Sequence, residues 1–114
     1  MRRELKIVRT TQALTRLKRI SDEIRYAPLA EGRGFTAGLI SFRPKRGADA
    51  KQIKHRDRDV LCHVVKGRGR LRVNKREVAL APGTFCHIPK GTPHDFAAGK
   101  KSELVLFYCL IQTR

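Results

Sequence analysis

Short apolar runs, separated by turn residues, recur along most of the chain and predict its secondary structure. From Glu23 onward the runs are rich in valine, isoleucine, leucine and phenylalanine, and glycine, proline or asparagine separates them. Runs of this length and composition are typical of β-strands. The predicted strands are 24–29, 35–42, 53–55, 60–66, 70–73, 77–80, 84–88, 94–97 and 104–111. Because no helical pattern intervenes and a short link at 74–76 indicates a hairpin, we expect an all-β sandwich or barrel.

The first 22 residues differ from the rest and are predicted to form a separate N-terminal segment. Residues 6–9 fit a short strand, and Thr11 could cap a short helix that carries Leu14, Leu17 and Ile20 on one side. This segment is either a basic arm for a partner or a lid that packs on the barrel. The predicted division is therefore an arm over 1–22 and a barrel over 23–114.

The composition indicates which cellular compartment and which classes of binding partner to expect. The chain carries 26 lysine and arginine residues against 10 acidic ones, a net charge of +16 that attracts anions. The basic residues are scattered and do not alternate with aromatic ones, so we do not expect a nucleic-acid partner. No apolar run is long enough to span a membrane, and no secretory signal is expected. Three cysteines with apolar neighbours indicate reduced thiols and a cytoplasmic protein.

One segment carries a specific motif. Gly83 is followed after five residues by Pro89, then by Gly91 and, after two further residues, by His94. Each anchor has an expected local reason: proline should end a strand, and Gly91 is expected at a backbone position that a side chain would obstruct. The segment resembles the second signature motif of the cupins, except that Ala98 stands where that motif usually has asparagine.

The segment from His55 to Gly69 resembles the first cupin motif in part. Counted back from Gly67, the motif's glutamate position falls on Val60, its second histidine on His55 and its first on Ile53. Asp57 and Asp59 lie in the variable gap and could supply a carboxylate if the register slips or a bulge intervenes. The two motifs cover about forty residues, and the β pattern extends the resemblance to roughly 23–112.

The resemblance implies a jelly-roll barrel, usually a homodimer, with a small-molecule pocket at its mouth. It also implies one divalent metal, Fe, Mn, Ni, Zn or Cu. The residues that would hold it are His55 and His94, with Asp57 or Asp59 as the carboxylate. Alternation along the strand puts Val60 and Cys62 on one face, and these two residues with Ile53 form the predicted pocket wall.

The remaining chemistry leaves alternatives open. His63 and His87 are expected to be structural or at a sheet interface, unless a bulge turns His63 inward as a ligand. Arg68, Arg70 and Arg72 share a face that is either solvated or an anion-binding strip. The leading hypothesis is a metal-dependent cupin that acts on a small anionic metabolite, as an oxygenase or an isomerase. The alternatives are a metal-free, non-catalytic ligand-binding cupin and a polyanion or nucleic-acid binder that uses its basic surface.

Overall fold

The computed structural model describes residues 4–44 and 57–113, and within them the chain is almost entirely β. One short helix precedes the strands, and no helix in these two segments is long and apolar enough to cross a bilayer. The elements in chain order are α1 (Thr10–Leu14), β1 (Lys18–Arg19), β2 (Ile24–Gly32), β3 (Phe35–Phe42), β4 (Arg58–Lys66), β5 (Gly69–Val73), β6 (Arg76–Leu80), β7 (Phe85–Ile88), β8 (His94–Ala98) and β9 (Leu104–Gln112).

Two antiparallel sheets enclose the core. The larger sheet has six strands in the order β1-β2-β3-β9-β4-β7, and the smaller has three in the order β6-β5-β8. Apolar side chains from both sheets meet between them, which is the packing expected of a jelly-roll barrel. The core cluster consists of Phe42, Val60, Cys62, Val64, Leu71, Leu80, Ile88, Phe96, Leu104, Leu106 and Tyr108. This architecture confirms the predicted all-β fold class.

Alternation along β4 determines which side chains reach the core. Val60, Cys62 and Val64 are each 1% exposed, whereas His63 between them is exposed on the outer face. Successive strand residues point to opposite faces, so one inward residue fixes the direction of its neighbours. The β5–β6 turn also follows the predicted hairpin, with Asn74 in the left-handed region at a φ of 54°.

The N-terminal segment differs from its prediction. The helix ends at Leu14, its buried residue is Ala13, and residues 6–9 do not form a strand. Leu17 and Ile20 do not lie on a helical face, because Lys18 and Arg19 pair with Tyr26 and Arg25 at the edge of the larger sheet. This pairing satisfies backbone groups that a helix would otherwise have used. The helix contacts β2, so the segment lies against the sheet.

Gly67 forms the turn from β4 to β5 at a point of close backbone approach. Its φ is 82°, and a Cβ added there would lie 1.7 Å from the Glu103 carbonyl oxygen. Glu103 itself is held in place, because the buried Ser41 hydroxyl donates a hydrogen bond to its carboxylate. A side chain at position 67 would therefore separate this turn from the start of β9.

We predict that Gly67→Ala destabilises the fold far more than Gly83→Ala. Gly83 has a similar φ of 91°, but nothing lies within 4 Å of its added Cβ. Gly83→Ala should cost about 1 kcal/mol of unfolding free energy for the left-handed conformation alone. Gly67→Ala should cost roughly 2 kcal/mol more, because overpacking is added. Urea unfolding followed by circular dichroism measures both, and equal losses would contradict the close approach.

Candidate functional site

The register of the larger sheet arranges the interior side chains in rows that cross several strands. Gly38, Tyr108, Cys62 and Cys86 are consecutive partners across β3, β9, β4 and β7. The neighbouring row, in the same strand order, is Thr36, Leu110, Val60 and Ile88. Phe42 and Leu104 are partners toward the other end of the barrel. The interior therefore has two distinct ends, and its thiol and phenol groups lie away from the Phe42 end.

His94 begins β8 and points into this interior with only 1% of its surface exposed. A turn at Pro89, in which Thr92 N–H donates to the Pro89 carbonyl at 3.2 Å, delivers the chain to this position. The His94 ring meets the Phe96 ring edge-on at 5.9 Å between centroids, and Phe96 meets Tyr108 at 6.4 Å. Aromatic contacts thus connect the histidine to the row that contains Cys62.

The hydrogen bond at Nδ1 sets the chemistry of His94. Nδ1 lies 2.9 Å from the Thr92 carbonyl oxygen, and because a carbonyl only accepts, Nδ1 carries the hydrogen. In the neutral ring the lone pair is then on Nε2. On the outer face, Arg72 donates to both carboxylate oxygens of the adjacent Asp95, at 3.1 and 3.2 Å, which joins the start of β8 to β5. His94 can therefore offer an oriented acceptor, or a metal ligand, inside the barrel.

Two tyrosines add polar groups to the same interior. The Tyr26 hydroxyl lies over Gly38, where an added Cβ would come within 2.5 Å of it. Burial raises the pKa of Tyr108 to about 12 and also raises the pKa of Tyr26, so both phenols stay protonated. Sequence reasoning missed both residues, because each lies in an apolar strand. Alternation along β2 and β9 was the signal in the sequence that could have placed these two side chains on the inward face.

An open cleft of about 600 Å³ adjoins these residues on the side of the N-terminal segment. Lys6, Tyr26, Glu31 and Thr36 supply its polar lining, and Pro28, Leu29 and Ala30 its apolar wall. Lys6 Nζ lies 3.5 Å from the Leu29 carbonyl oxygen across the cleft. Tyr26 lines the cleft and also lies over Gly38, so the cleft adjoins the interior row.

Neither of the two predicted carboxylate ligands, Asp57 and Asp59, points into the interior with His94. Asp57 is exposed just before β4, while Asp59 lies on the outer face, opposite in direction to the inward Val60. Asp59 is 2.7 Å from His87 Nε2 and accepts hydrogen bonds from the Lys90 amide and the Thr113 hydroxyl, at 2.9 and 3.2 Å. The hydrogen bond with His87, followed by that from Lys90, lowers the pKa of the Asp59 carboxyl.

The other predicted site residues have mixed positions. Val60 and Cys62 both face the interior, as alternation predicted, whereas Ile53 and His55 lie outside the described residues. His63 is exposed on the outer face, and the irregularity in β4 falls between Val64 and Lys66, so no bulge turns His63 inward. Within residues 4–44 and 57–113, no three histidine, cysteine or acidic side chains come together as a metal site. The metal roles of His55, His94, Asp57 and Asp59 stay predictions.

Two of the three alternating arginines, Arg70 and Arg72, lie on β5 and form ion pairs with carboxylates on the outer face of the smaller sheet. Arg70 Nε lies 3.1 Å from a Glu77 carboxylate oxygen, and Arg72 is bound to Asp95. These pairs join β5 to both of its neighbours in the smaller sheet. The pairing favours the solvated-face interpretation over an anion-binding strip for these two arginines.

Two antiparallel sheets around an apolar interior, with one buried histidine toward one end, define a small jelly-roll barrel. The chain belongs to the cupin family: residues 40–110 match the family model described as a cupin domain. No curated protein sequence matches this chain.

Solved structures share the whole fold at low identity. A protein from Thermotoga maritima, described as a predicted oxalate decarboxylase, aligns with a TM-score of 0.79 at 18% identity, over 95% of this chain and 100% of that one. An RmlC-like cupin from Shewanella frigidimarina aligns with a TM-score of 0.76 at 18% identity, over 100% of this chain and 96% of that one. KdgF from a Halomonas species aligns with a TM-score of 0.71 at 22% identity, over 86% of this chain and 88% of that one. At these identities the likeness concerns the fold.

We predict that Asp59→Asn lowers the melting temperature at neutral pH, because it removes the carboxylate that joins β4 to His87, Lys90 and Thr113. The folded-state pKa of Asp59 lies below its ordinary value of 3.8. The carboxylate's contribution is therefore complete above about pH 4 and is lost as the pH falls through the folded value. Melting curves from pH 7 to pH 2 should show the difference from the parent chain shrinking below about pH 4.

Asp57→Asn is the matched control for this measurement, because Asp57 is an exposed carboxylate two residues away. Its melting temperature should follow that of the parent chain across the range. A difference for Asp59→Asn that stays constant down to pH 2 would contradict a role for the ionised carboxylate.

Proposed function

We propose that this cupin binds a small organic molecule inside the barrel, at the end that contains His94. The buried position of His94 carries the proposal, because the Nδ1 hydrogen bond to Thr92 orients its Nε2 lone pair within a mostly apolar interior. Ligand pockets in proteins are mostly apolar and have a small number of fixed polar groups. The interior near Phe96, Tyr108 and Val60 has that composition.

The surrounding side chains favour an aromatic or aliphatic ligand with one acidic or hydroxyl group. Such a group would donate a hydrogen bond to Nε2 of neutral His94, or accept one from the protonated ring. Phe96 and Tyr108 offer aromatic contacts to the rest of the ligand. The net charge of +16 favours an anionic ligand, because the field of the whole chain raises its local concentration. A metal-free, non-catalytic role agrees with Val60 at the glutamate position of the motif.

A divalent metal at His94 is the second candidate, and the Nδ1 hydrogen bond favours it. Histidine ligands in metal sites commonly donate their other ring N–H to a backbone carbonyl, as His94 does to Thr92. The histidine that the structure describes at this place is His94, so the site would also need His55, with Asp57 or Asp59 as the carboxylate. Fe, Mn, Ni, Zn or Cu bound there would polarise an oxygen of the ligand. An oxygenase or isomerase acting on a small anionic metabolite belongs to this candidate.

Cytoplasmic location and a homodimer remain part of the proposal. The three cysteines are free thiols in this structure, which agrees with a reducing compartment. The outer face of the larger sheet carries partly exposed aromatic residues, Phe85 at 62% and Phe107 at 37%, and such residues agree with a partner surface.

We predict that small carboxylic acids and phenols bind inside the barrel and that His94→Ala weakens them about tenfold, the value of one good hydrogen bond. A fragment set of benzoates, phenols and their unsubstituted hydrocarbons can be followed by protein NMR. Shifts should be concentrated at Phe96, Tyr108 and Val60. His63→Ala, which removes an outer-face histidine, should leave the affinities unchanged. Shifts confined to the outer face, or equal affinities for His94→Ala, would contradict the proposal.

Elemental analysis of untagged protein separates the two candidates. If the metal candidate holds, near-stoichiometric metal should be present and should be lost in both His55→Ala and His94→Ala, but kept in His63→Ala. If the metal-free role holds, no metal should co-purify, and Fe, Mn, Ni, Zn and Cu should leave the melting temperature unchanged. Bound metal that survives both substitutions would contradict the proposed ligands.

A further inference from the structure

Two of the three cysteines face each other across neighbouring strands. Cys62 on β4 is the direct partner of Cys86 on the antiparallel strand β7. Both side chains are on the interior face, where Cys62 is 1% exposed and Cys86 packs against the core cluster in a half-buried position. Directly opposed side chains on one face are nearest neighbours across a pair of strands. The two thiols are therefore held in contact by the register of the sheet.

The backbone pattern gives the spacing of this pair. Val64 N–H donates to the Thr84 carbonyl at 2.8 Å, so positions 64 and 84 form a hydrogen-bonded pair, and alternation makes Cys62 and Cys86 one as well. The Cα atoms of such pairs are about 5.5 Å apart, within the disulfide range of about 4.4–6.8 Å. The Cβ atoms, about 5 Å apart in opposed pairs, must approach to about 4 Å for a disulfide.

Closing this distance requires a shift of β7, which has a neighbour on one side only within the larger sheet. β7 has four residues and stands at the edge of the larger sheet, paired there with β4. It can shift toward β4 without disturbing a partner on its other side within that sheet. A disulfide formed by such a shift carries some strain, and strained disulfides are reduced more easily than relaxed ones. The pair is thus suited to a bond that forms and breaks.

The two thiols are chemically unequal. The Cys62 thiol donates a hydrogen bond to the Cys86 sulfur, which lowers the pKa of Cys86 to about 7 and, together with burial, raises that of Cys62. The thiolate is the reactive form of cysteine, so Cys86 is the nucleophile at neutral pH. Cys86 is also the more exposed of the two, and a reagent reaches it first. Cys62 stays protonated next to it and can react in a second step.

We propose that Cys62 and Cys86 form a reversible disulfide inside the barrel when the chain meets a hydroperoxide. The Cys86 sulfur attacks the peroxide, the O–O bond breaks, and a sulfenic acid forms on Cys86 as water or an alcohol leaves. The Cys62 sulfur then attacks the Cys86 sulfur, the S–S bond forms, the S–O bond breaks, and water carries away the Cys62 proton. Two electrons pass from the thiols to the peroxide, and a dithiol reductant returns them.

Cys109 provides the internal control. It lies on β9 between Ala37 and Leu61, on the face opposite to Tyr108, and it is half-buried. Burial raises the pKa of its thiol, so at neutral pH it reacts slowly. It should remain a free thiol while Cys62 and Cys86 are oxidised.

The test uses the reduced full chain, treated with hydrogen peroxide near stoichiometry and then alkylated under denaturing conditions. The intact mass should fall by about 2 Da for the disulfide, with one thiol left to alkylate, and peptide mapping should link residues 62 and 86. Cys109→Ser should behave like the parent chain. Cys86→Ser should give no disulfide, and Cys62→Ser should leave a Cys86 sulfenic acid that dimedone traps.

Other outcomes of the same experiment would overturn the proposal. These are a disulfide that includes Cys109, a bond between two chains, or oxidation of Cys86 to sulfinic acid in the parent chain without any link to Cys62. Each result on the parent chain is decisive without the variants, so a serine variant that folds poorly does not prevent a decision. Failure of ligand binding at His94 would leave this proposal unaffected, since the argument for the thiol pair does not involve His94.

Discussion

The register of β9 against β3 and β4 controls where every interior group of the larger sheet lies. Leu104, Leu106, Tyr108 and Leu110 alternate along β9 and all face inward; β9 pairs with β3 in one continuous register and with β4 in a register that shifts only between Val64 and Lys66. A shift by one residue would turn these side chains outward, and the row that contains Tyr108 and Cys62 would be lost. Gly38 completes that row, because its missing side chain leaves space for the Tyr26 hydroxyl.

Charge and polarity are divided between the two faces of the barrel. On the outside, carboxylates join strands to one another, as Asp59 does with His87 and Asp95 with Arg72. On the inside, the polar groups are an imidazole, two phenols and two thiols, with no carboxylate or ammonium among the described residues of the core. A buried carboxylate or ammonium would need an oppositely charged partner, whereas a neutral polar group needs only a hydrogen bond. The interior can therefore accept a ligand's polar group without an ion pair to break first.

The strands could be predicted from the sequence because local signals define them. The bounds of β3 match their prediction, and the inward direction of Val60 and Cys62 follows from simple alternation. The partners could not be predicted in this way. The contact of Asp59 with His87 and the opposition of Cys62 and Cys86 depend on β7 lying beside β4, which is a property of the sheet order. A short N-terminal helix is present as predicted, but its predicted extension to Leu17 and Ile20 was wrong, because Lys18 and Arg19 pair with the edge of β2.

The position of β9 also has a consequence for synthesis on the ribosome. β9 lies between β3 and β4, yet residues 104–112 are made after both of them. Until they emerge, one hydrogen-bonding edge of β3 and one of β4 have no neighbour from the final sheet. Open edges of apolar strands pair readily with other chains. The nascent chain therefore passes through a stage in which two apolar strands present open edges, and during this stage pairing with other chains competes with folding.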